Sequence, residues 1–385
     1  MAPATSGSSI SLADLNETSN ASLAPSAAEI LNQKMPWETY MTARLISHQD
    51  LQLIRRYDKH SADEQAALLE EDGAAYAQTF LTLVRNITKN DVVQYALALI
   101  DDMLSADEGR AALFHVNVEL DSESSVDPYT PLLKLLQKDD WFTQEAASRV
   151  LVRVIAARPG RGSEVLTIED DTARVDGTGA SSSSETAFEV APGLLGQVVS
   201  TYVDWLCNQL RRPTHPSRSA REAVCALAIL LRERSIRPLF LRAGGVQLLV
   251  PLLTPSASPS TIQMLYEATF CVWNMSFLRP AAELMGGAGV LPALVEVARV
   301  VSKEKVVRMA VLTLKNLAET TGMSYGADAA ELGFLKVVST LQQGTWADEE
   351  LVDALSNLGD GLQQCLKDAS SFDKYRKEVG VRPEL

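Results

Sequence analysis

Apolar residues recur along most of the chain at steps of three and four, which places them on one face of an α-helix. In the segment 74–89, Ala77, Phe80 and Val84 follow this spacing. The same pattern continues through 92–104, 131–137, 141–156 and 194–210. The Val- and Ile-rich alternation that indicates β-strands is missing, so the pattern predicts an all-α fold.

Three segments near the start of the chain carry a signal for helix initiation. Ser26, Ser47 and Ser61 are each followed three residues later by an acidic residue, and apolar residues come next. In such a capping box the Ser and the acidic side chain each accept a hydrogen bond from the other residue's backbone N–H. We therefore expect helices to begin at these three serines.

The second half of the chain repeats itself. The pairs Gly245-Val246, Gly289-Val290 and Gly333-Phe334 each open an apolar segment, and successive pairs are 44 residues apart. The following segment keeps the phase, because Phe270 corresponds to Leu314 and Leu358. Repeats of this length are typical of armadillo and HEAT arrays, in which neighbouring helical units stack to share one core. The prediction is a right-handed superhelical solenoid of armadillo/HEAT-like repeats.

Composition divides the chain into regions. The segment 158–192 contains seven acidic residues, three arginines, four glycines and the run 181–184 of four serines, which is typical of a solvated loop. Residues 1–25 show no periodic spacing of apolar residues, so they are expected to form a disordered tail. The expected organisation is a disordered tail over 1–25, helical repeats over 26–157, an acidic Ser/Gly-rich loop over 158–192, armadillo/HEAT-like repeats over 193–369, and a linker toward an absent C-terminal domain over 370–385.

Charge and residue chemistry exclude several classes of function. The 385 residues carry a net charge of −14, so binding to a nucleic-acid backbone is not expected. The phosphate-binding loop and the nucleophile elbow are both missing, and the four histidines have no partner at metal-ligand spacing. The sequence therefore predicts neither catalytic residues nor a cofactor nor a metal. Prolines and polar residues interrupt the longest uncharged stretch, 243–266, so no direct membrane insertion is expected.

One segment is basic against this acidic background. Residues 211–242 contain eight arginines and two glutamates, a local charge of +6. The candidate partner-binding residues are Arg232, Arg234, Arg237 and Arg242. A cationic strip on an acidic protein can dock an acidic partner, because complementary charge steers association. The alternative is a solvated face around a Pro-rich turn, and the sequence leaves both interpretations open.

Armadillo proteins that capture extended peptides have grooves lined by Trp, with an Asn four residues later. Here Trp273 is followed at that spacing by Phe277, and Asn316 and Asn357 are preceded by Leu312 and Asp353. The paired ladder is therefore missing. A cytosolic armadillo-type adaptor that binds peptides in trafficking or signalling remains the alternative function.

Several segments, in this order, resemble the N-terminal domain of the H subunit of the vacuolar-type proton-translocating ATPase (V-ATPase). The similar segments are 37–40, 69–80, 93–95, 101–104, 263–280, 302–306, 316–317, 348–350, 358–359 and 370–375. Together they extend over most of the predicted ordered chain. The insert 158–192 is longer than the usual connection in the family, and family members continue past the 370–375 segment into a second helical domain.

The resemblance implies a non-catalytic regulatory subunit of the peripheral sector. Its implied partners are the E and G subunits of the peripheral stalk, the cytosolic domain of the membrane-bound a subunit and other subunits of the peripheral sector. Such a protein supports coupled ATP hydrolysis and proton pumping. The implied location is cytoplasmic, on the cytosolic face of vacuolar and other internal membranes as part of the complex.

Overall fold

A computed structural model describes residues 26–116, 127–159, 193–255, 259–321 and 332–380 of the chain. These residues form helices and connecting turns, and no strand occurs among them. The α-helices are α1 (Ala27–Leu31), α2 (Trp37–Thr42), α3 (His48–Tyr57), α4 (Ala62–Asn86), α5 (Asn90–Ala106), α6 (Thr130–Leu135), α7 (Trp141–Ala156), α8 (Leu194–Arg211), α9 (Ser219–Leu230), α10 (Arg237–Arg242), α11 (Gly245–Leu249), α12 (Pro259–Ser276), α13 (Arg279–Gly287), α14 (Val290–Val300), α15 (Glu304–Thr321), α16 (Phe334–Gln342) and α17 (Glu349–Gly380). Short 3₁₀ helices cover Glu108–His115, Arg234–Ile236 and Val250–Leu253. The predicted all-α fold is confirmed.

The three predicted capping boxes are present. Ser26, Ser47 and Ser61 each accept a hydrogen bond from the backbone N–H three residues on, and the acidic residue there accepts one in return. These bonds satisfy N–H groups that have no partner inside the helix. Helix α4, which begins after Ser61, is kinked at Asp72, where φ is −152° and ψ is 55°.

The longer helices stack side by side as a solenoid. Helix α5 packs on α7, α7 on α9, α9 on α12, α12 on α15 and α15 on α17. One continuous apolar core follows this row, and it extends from Ile30 to Leu362. Each helix therefore buries one face against its neighbours, which is the packing that the repeat pattern predicts.

The turns of the repeats are set by glycine, with one change from the predicted register. Gly289 and Gly333 precede α14 and α16 with φ of 82° and 69°. In the first repeat, the left-handed residue is Gly244, with φ of 70°, and Gly245 already lies inside α11. Gly245 is needed for a different reason, because a Cβ there would lie 2.3 Å from the ring of Phe240.

The predicted correspondence of Phe270 with Leu314 and Leu358 joins apolar residues that all pack in or against the core, but at different depths. Leu314 and Leu358 are buried in the core, whereas Phe270 is only partly buried. A step of 42 residues instead joins two buried side chains, because it pairs Val272 with Leu314. The turn glycines and the long helices therefore repeat at slightly different steps, since the connections between them differ in length.

Partly buried charges join the first and second halves of the solenoid. Asp101 on α5 forms ion pairs with Arg149 and Arg153 on α7, at 2.8 and 2.9 Å. Glu145 on α7 pairs with Arg149 at 2.9 Å and with Arg218 at 2.8 Å. These contacts connect α7 to the segment that begins α9. They hold together helices that residues 160–192 separate in sequence.

The predicted regions can be compared with the structure only in part. The tail 1–25 lies outside the described residues, as do 160–192 of the predicted loop and 381–385 of the predicted linker. Helix α17 continues to Gly380, so it includes the first part of the segment 370–385.

Candidate interaction surface

The four arginines proposed as partner-binding residues lie in the turn after α9 and in α10, which follows that turn. Arg232 follows α9, Arg234 begins the short 3₁₀ helix, and Arg237 and Arg242 begin and end α10. Arg232, Arg234 and Arg242 are exposed, whereas Arg237 is buried. Their role in binding stays a prediction.

Arg237 has a structural role in this turn. Its Nε donates to the carbonyl of Leu231 at 2.9 Å, and its Nη2 donates to Oδ1 of Asn274 at 3.2 Å. Burial, followed by the charge of Arg234, lowers the pKa of Arg237 to about 10. These contacts fix the turn against α12, so we assign Arg237 to positioning of the surface.

The two glutamates of the basic segment do not neutralise its exposed arginines. Glu233 forms an ion pair with Arg158, and Ser235 donates a hydrogen bond to the same carboxylate. Glu222 is buried, and this burial raises its pKa to about 7. Within the described part of the chain, no carboxylate lies at ion-pair distance from Arg232, Arg234 or Arg242. This turn therefore presents uncompensated positive charge.

A row of four aromatic side chains lies beside these arginines, on α12 and just after it. We call Tyr266, Phe270, Trp273 and Phe277 the aromatic row. Successive ring centroids are 6.2, 5.6 and 5.1 Å apart. Phe277 is 54% exposed, and the other three are partly buried. Aromatic side chains at the surface are enriched in protein interfaces, so the row is a candidate contact surface.

Two of the arginines, Arg232 and Arg237, contact the aromatic row. The guanidinium of Arg232 lies 5.5 Å from the centroid of the Phe270 ring, and that of Arg237 lies 5.7 Å from the Phe277 ring. A cation at this distance is attracted by the electrons of the ring face. The row was not predicted from the sequence, although the spacing of four, three and four residues between its members was a usable signal.

The asparagines of this region are engaged in contacts inside the protein. Nδ2 of Asn274 donates to the carbonyl of Phe270 at 2.9 Å, and its Oδ1 accepts from Arg237. Nδ2 of Asn316 donates to Oγ of Ser276 at 2.9 Å. These amides therefore tie adjacent elements of the solenoid together.

Metal-binding clusters and membrane-spanning helices are the other kinds of site that a chain of this composition could hold. In the described ranges, no group of three or more His, Cys, Asp or Glu side chains is arranged to hold a metal ion. In the same ranges, no single helix is long and apolar enough to span a membrane. Two sharply bent helix pairs reach that length and composition only when each pair is taken together.

The fold and this surface define a helical-repeat protein of the armadillo class. A designed armadillo repeat protein, YIII(Dq)4CqI, has a similar solved structure, with a TM-score of 0.52 and 17% sequence identity. The similarity covers 74% of this chain and 99% of the designed protein. At this identity the comparison establishes the fold, and function requires evidence from sequence relatives.

The chain belongs to the V-ATPase H subunit family, whose profile matches residues 21–362. The probable V-type proton ATPase H subunit of Oryza sativa subsp. japonica is 41% identical over 351 residues, which cover 91% of this chain and 73% of the rice protein. The V-type proton ATPase H subunits of Dictyostelium discoideum and Drosophila melanogaster are 25% and 26% identical. Their matches cover 91% and 92% of this chain, and 70% and 67% of the respective relatives.

Proposed function

We propose that this chain is a non-catalytic regulatory subunit of the peripheral sector of the V-ATPase. In this proposal it binds the E and G subunits of the peripheral stalk and the cytosolic domain of the membrane-bound a subunit. It thereby supports coupled ATP hydrolysis and proton pumping on the cytosolic face of vacuolar and other internal membranes. The observation that carries the proposal is the family match over 342 of the 385 residues, from 21 to 362.

The character of the described surface supports this role. A solenoid offers a long surface that can contact several proteins at once. The exposed Arg232, Arg234 and Arg242 form a positive region on a chain whose net charge is −14. Such local charge complementarity favours one docking orientation over others and accelerates association with an acidic partner.

The proposal is tested by measuring association of the chain with a purified heterodimer of the E and G stalk subunits. We expect binding at micromolar concentration or tighter, with a rate constant that falls as salt increases. The variant Arg232→Glu/Arg234→Glu/Arg242→Glu should associate about tenfold more slowly and depend less on salt. A matched control is Arg85→Glu/Lys303→Glu/Lys336→Glu, which changes the net charge equally at exposed cations elsewhere.

The outcomes of this experiment separate two conclusions. Failure of the unaltered chain to bind the heterodimer at low salt would contradict the stalk-binding role. If the two charge-reversed variants associate at the same rate, the three arginines are not part of the contact. A separate assay of the purified chain for ATP hydrolysis should give no turnover, and measurable turnover would contradict the non-catalytic role.

The armadillo-type adaptor remains as the alternative function. Its mode of recognition uses asparagine amides to hold the backbone of an extended peptide. The hydrogen bonds of Asn274 and Asn316 to Arg237 and Ser276 compete with that use. These internal contacts favour the stalk-binding role over the adaptor.

A further inference from the structure

The aromatic row is specific to one repeat of the solenoid. Its members lie eight, four and one residues before Asn274 and three residues after it. At the same offsets from Asn316 the sequence has Arg308, Leu312, Lys315 and Glu319, and at those from Asn357 it has Glu349, Asp353, Ser356 and Asp360. If stacking of the repeats required these rings, the equivalent positions of α15 and α17 would also carry apolar side chains. The row is therefore a local addition to the fold.

The spacing of the row fits one shape of partner. Steps of four, three and four residues are those of the a and d positions of a coiled-coil helix. A helix with this pattern presents a narrow apolar seam, and a second helix with its own apolar residues at a and d packs against it. The three positions on α12 and Phe277, one residue past its end, extend over about 16 Å at 1.5 Å per helical residue. Two heptads of a partner helix match that length.

The surroundings of the row indicate the charge of this partner. Arg232 is exposed, and its guanidinium lies over the Phe270 ring, so its N–H groups remain available at the edge of the row. The carboxylate of Glu267, on the same helix, is buried and accepts hydrogen bonds from Gln263 at 2.8 Å and from Cys225 at 3.3 Å. The exposed Arg232 therefore places a positive charge at the edge of the row, and this charge complements acidic residues.

This surface is less suited to binding an extended peptide than to binding a helix. Recognition of an extended backbone needs side-chain amides that are free to pair with its N–H and C=O groups. Both polar ends of the Asn274 amide already have partners inside the protein. A helical partner satisfies its own backbone groups and uses only its side chains.

We propose that the aromatic row and Arg232 dock an amphipathic α-helix of a partner protein, which has an apolar seam at heptad spacing and acidic residues beside that seam. This inference rests on the proposed stalk-binding role only for the identity of the partner. It specifies which part of the solenoid makes the contact and what chemistry the partner presents.

A synthetic peptide tests the surface without the identity of the partner. The probe is a labelled three-heptad helix with Leu at the a and d positions and Glu at the flanking e and g positions, and binding is followed by fluorescence anisotropy. We expect micromolar affinity that weakens as salt increases. Phe270→Ala and Phe277→Ser should each weaken binding about tenfold, since buried aromatic anchors dominate such contacts. Arg232→Glu should weaken binding chiefly by slowing association.

Matched controls distinguish this contact from non-specific binding of the probe. Val300 is 57% exposed and lies on α14, so Val300→Ser removes an exposed apolar side chain away from the row and should leave the affinity unchanged. A probe with Lys in place of Glu should bind at least tenfold more weakly. A probe with proline in its central heptad cannot form the helix and should not bind. The far-ultraviolet circular dichroism and the Tm of each variant check that it is folded.

Three results would overturn the inference. They are no binding of the acidic probe to the unaltered chain, equal binding by the aromatic-row variants, and equal binding of the proline-containing probe. The same variants are also titrated with the heterodimer of the E and G stalk subunits. Loss of probe binding with full retention of heterodimer binding would support the helix-docking surface and assign it to a different partner, leaving the proposed stalk-binding role intact.

Discussion

Arg237 shows how a single side chain can belong to a charged segment without being part of its surface. The residue is buried, and its guanidinium reaches acceptors on Leu231 and Asn274. A flexible, mostly exposed arginine would contribute little to stability. Because these acceptors are shielded from water, loss of their donor leaves them without hydrogen bonds.

The substitution Arg237→Ala should lower the free energy of unfolding by about 2 kcal/mol, because it removes these buried hydrogen bonds. Chemical denaturation monitored by circular dichroism measures the change. Arg242→Ala is the control, since Arg242 is exposed on the same helix and should change stability by less than about 0.5 kcal/mol. Equal stabilities of the two variants would show that the internal hydrogen bonds of Arg237 contribute nothing.

Substitution of Gly333 measures the free-energy cost of placing a side chain on a left-handed backbone. Its φ is 69°, and a Cβ at this position would meet no atom within 4 Å, so the cost of Gly333→Ala is conformational. We expect a loss of about 1 kcal/mol. Gly286→Ala is the matched control, because Gly286 lies inside α13 with the same open surroundings and should become more stable by about 0.5 kcal/mol. Thermal denaturation that gives both variants the same sign of change would contradict this assignment.

At the scale of the elements, α5, α7 and α9 are joined by a group of charges that includes the buried Glu145 and Glu222. Burial raises the pKa of Glu222 to about 7, although the neighbouring Arg149 opposes the change. The folded chain therefore binds this proton more tightly than the unfolded chain does. The contribution of Glu222 to stability consequently falls as the pH rises from about 4.5 to about 7.

The variant Glu222→Gln should remove this dependence, since the amide keeps the shape of the carboxyl group and has no charge. At about pH 8 we expect it to be more stable than the unaltered chain by on the order of 1–3 kcal/mol, and this gain should largely disappear near pH 5. Glu70→Gln, at an exposed position on α4, is the control. A pH-independent difference between Glu222→Gln and the unaltered chain would argue against a buried, titrating Glu222.

The starts of three helices could be predicted from the sequence alone, whereas other details of the helices could not. Ser26, Ser47 and Ser61 were predicted as helix caps because capping depends on residues within one turn of each other. The kink of α4 at Asp72 was not predicted, although Asp is a poor helix former and a favoured N-cap, and Oδ1 of Asp72 accepts a hydrogen bond from the backbone N–H of Ala75 at 3.4 Å. Likewise, the sequence left open which of the two glycines is left-handed, and only the structure shows that it is Gly244 and that the ring of Phe240 lies against Gly245.

At the scale of the whole molecule, the solenoid is held together across the segment 160–192 by contacts that do not depend on that segment. Oγ of Ser148 on α7 and the hydroxyl of Tyr202 on α8 are 2.7 Å apart. Nε1 of Trp205 donates to the carbonyl of Leu136 at 3.2 Å, and Arg158 pairs with Glu233. Neighbouring repeats in such an array stabilise each other through their shared interface.

Two separately encoded fragments, 1–159 and 193–385, should therefore associate when they are produced together. Co-purification through a tag on one fragment and size-exclusion chromatography measure this association. Trp205→Ala should weaken it by at least tenfold, because it removes a large buried side chain from the interface. Fragments that elute separately, with normal helix content, would show that the covalent connection is required.

The sequence by itself determined the all-α class, the repeat and the basic character of 211–242, because these depend on local periodicity and on composition. Only the tertiary structure decided which of the arginines reach the surface. Arg237 and Arg242 both belong to the basic segment, yet only Arg237 donates a hydrogen bond to the buried Asn274. The aromatic row became a surface in the same way, since the neighbours of α12 cover its other face and leave these four rings at the edge of the core.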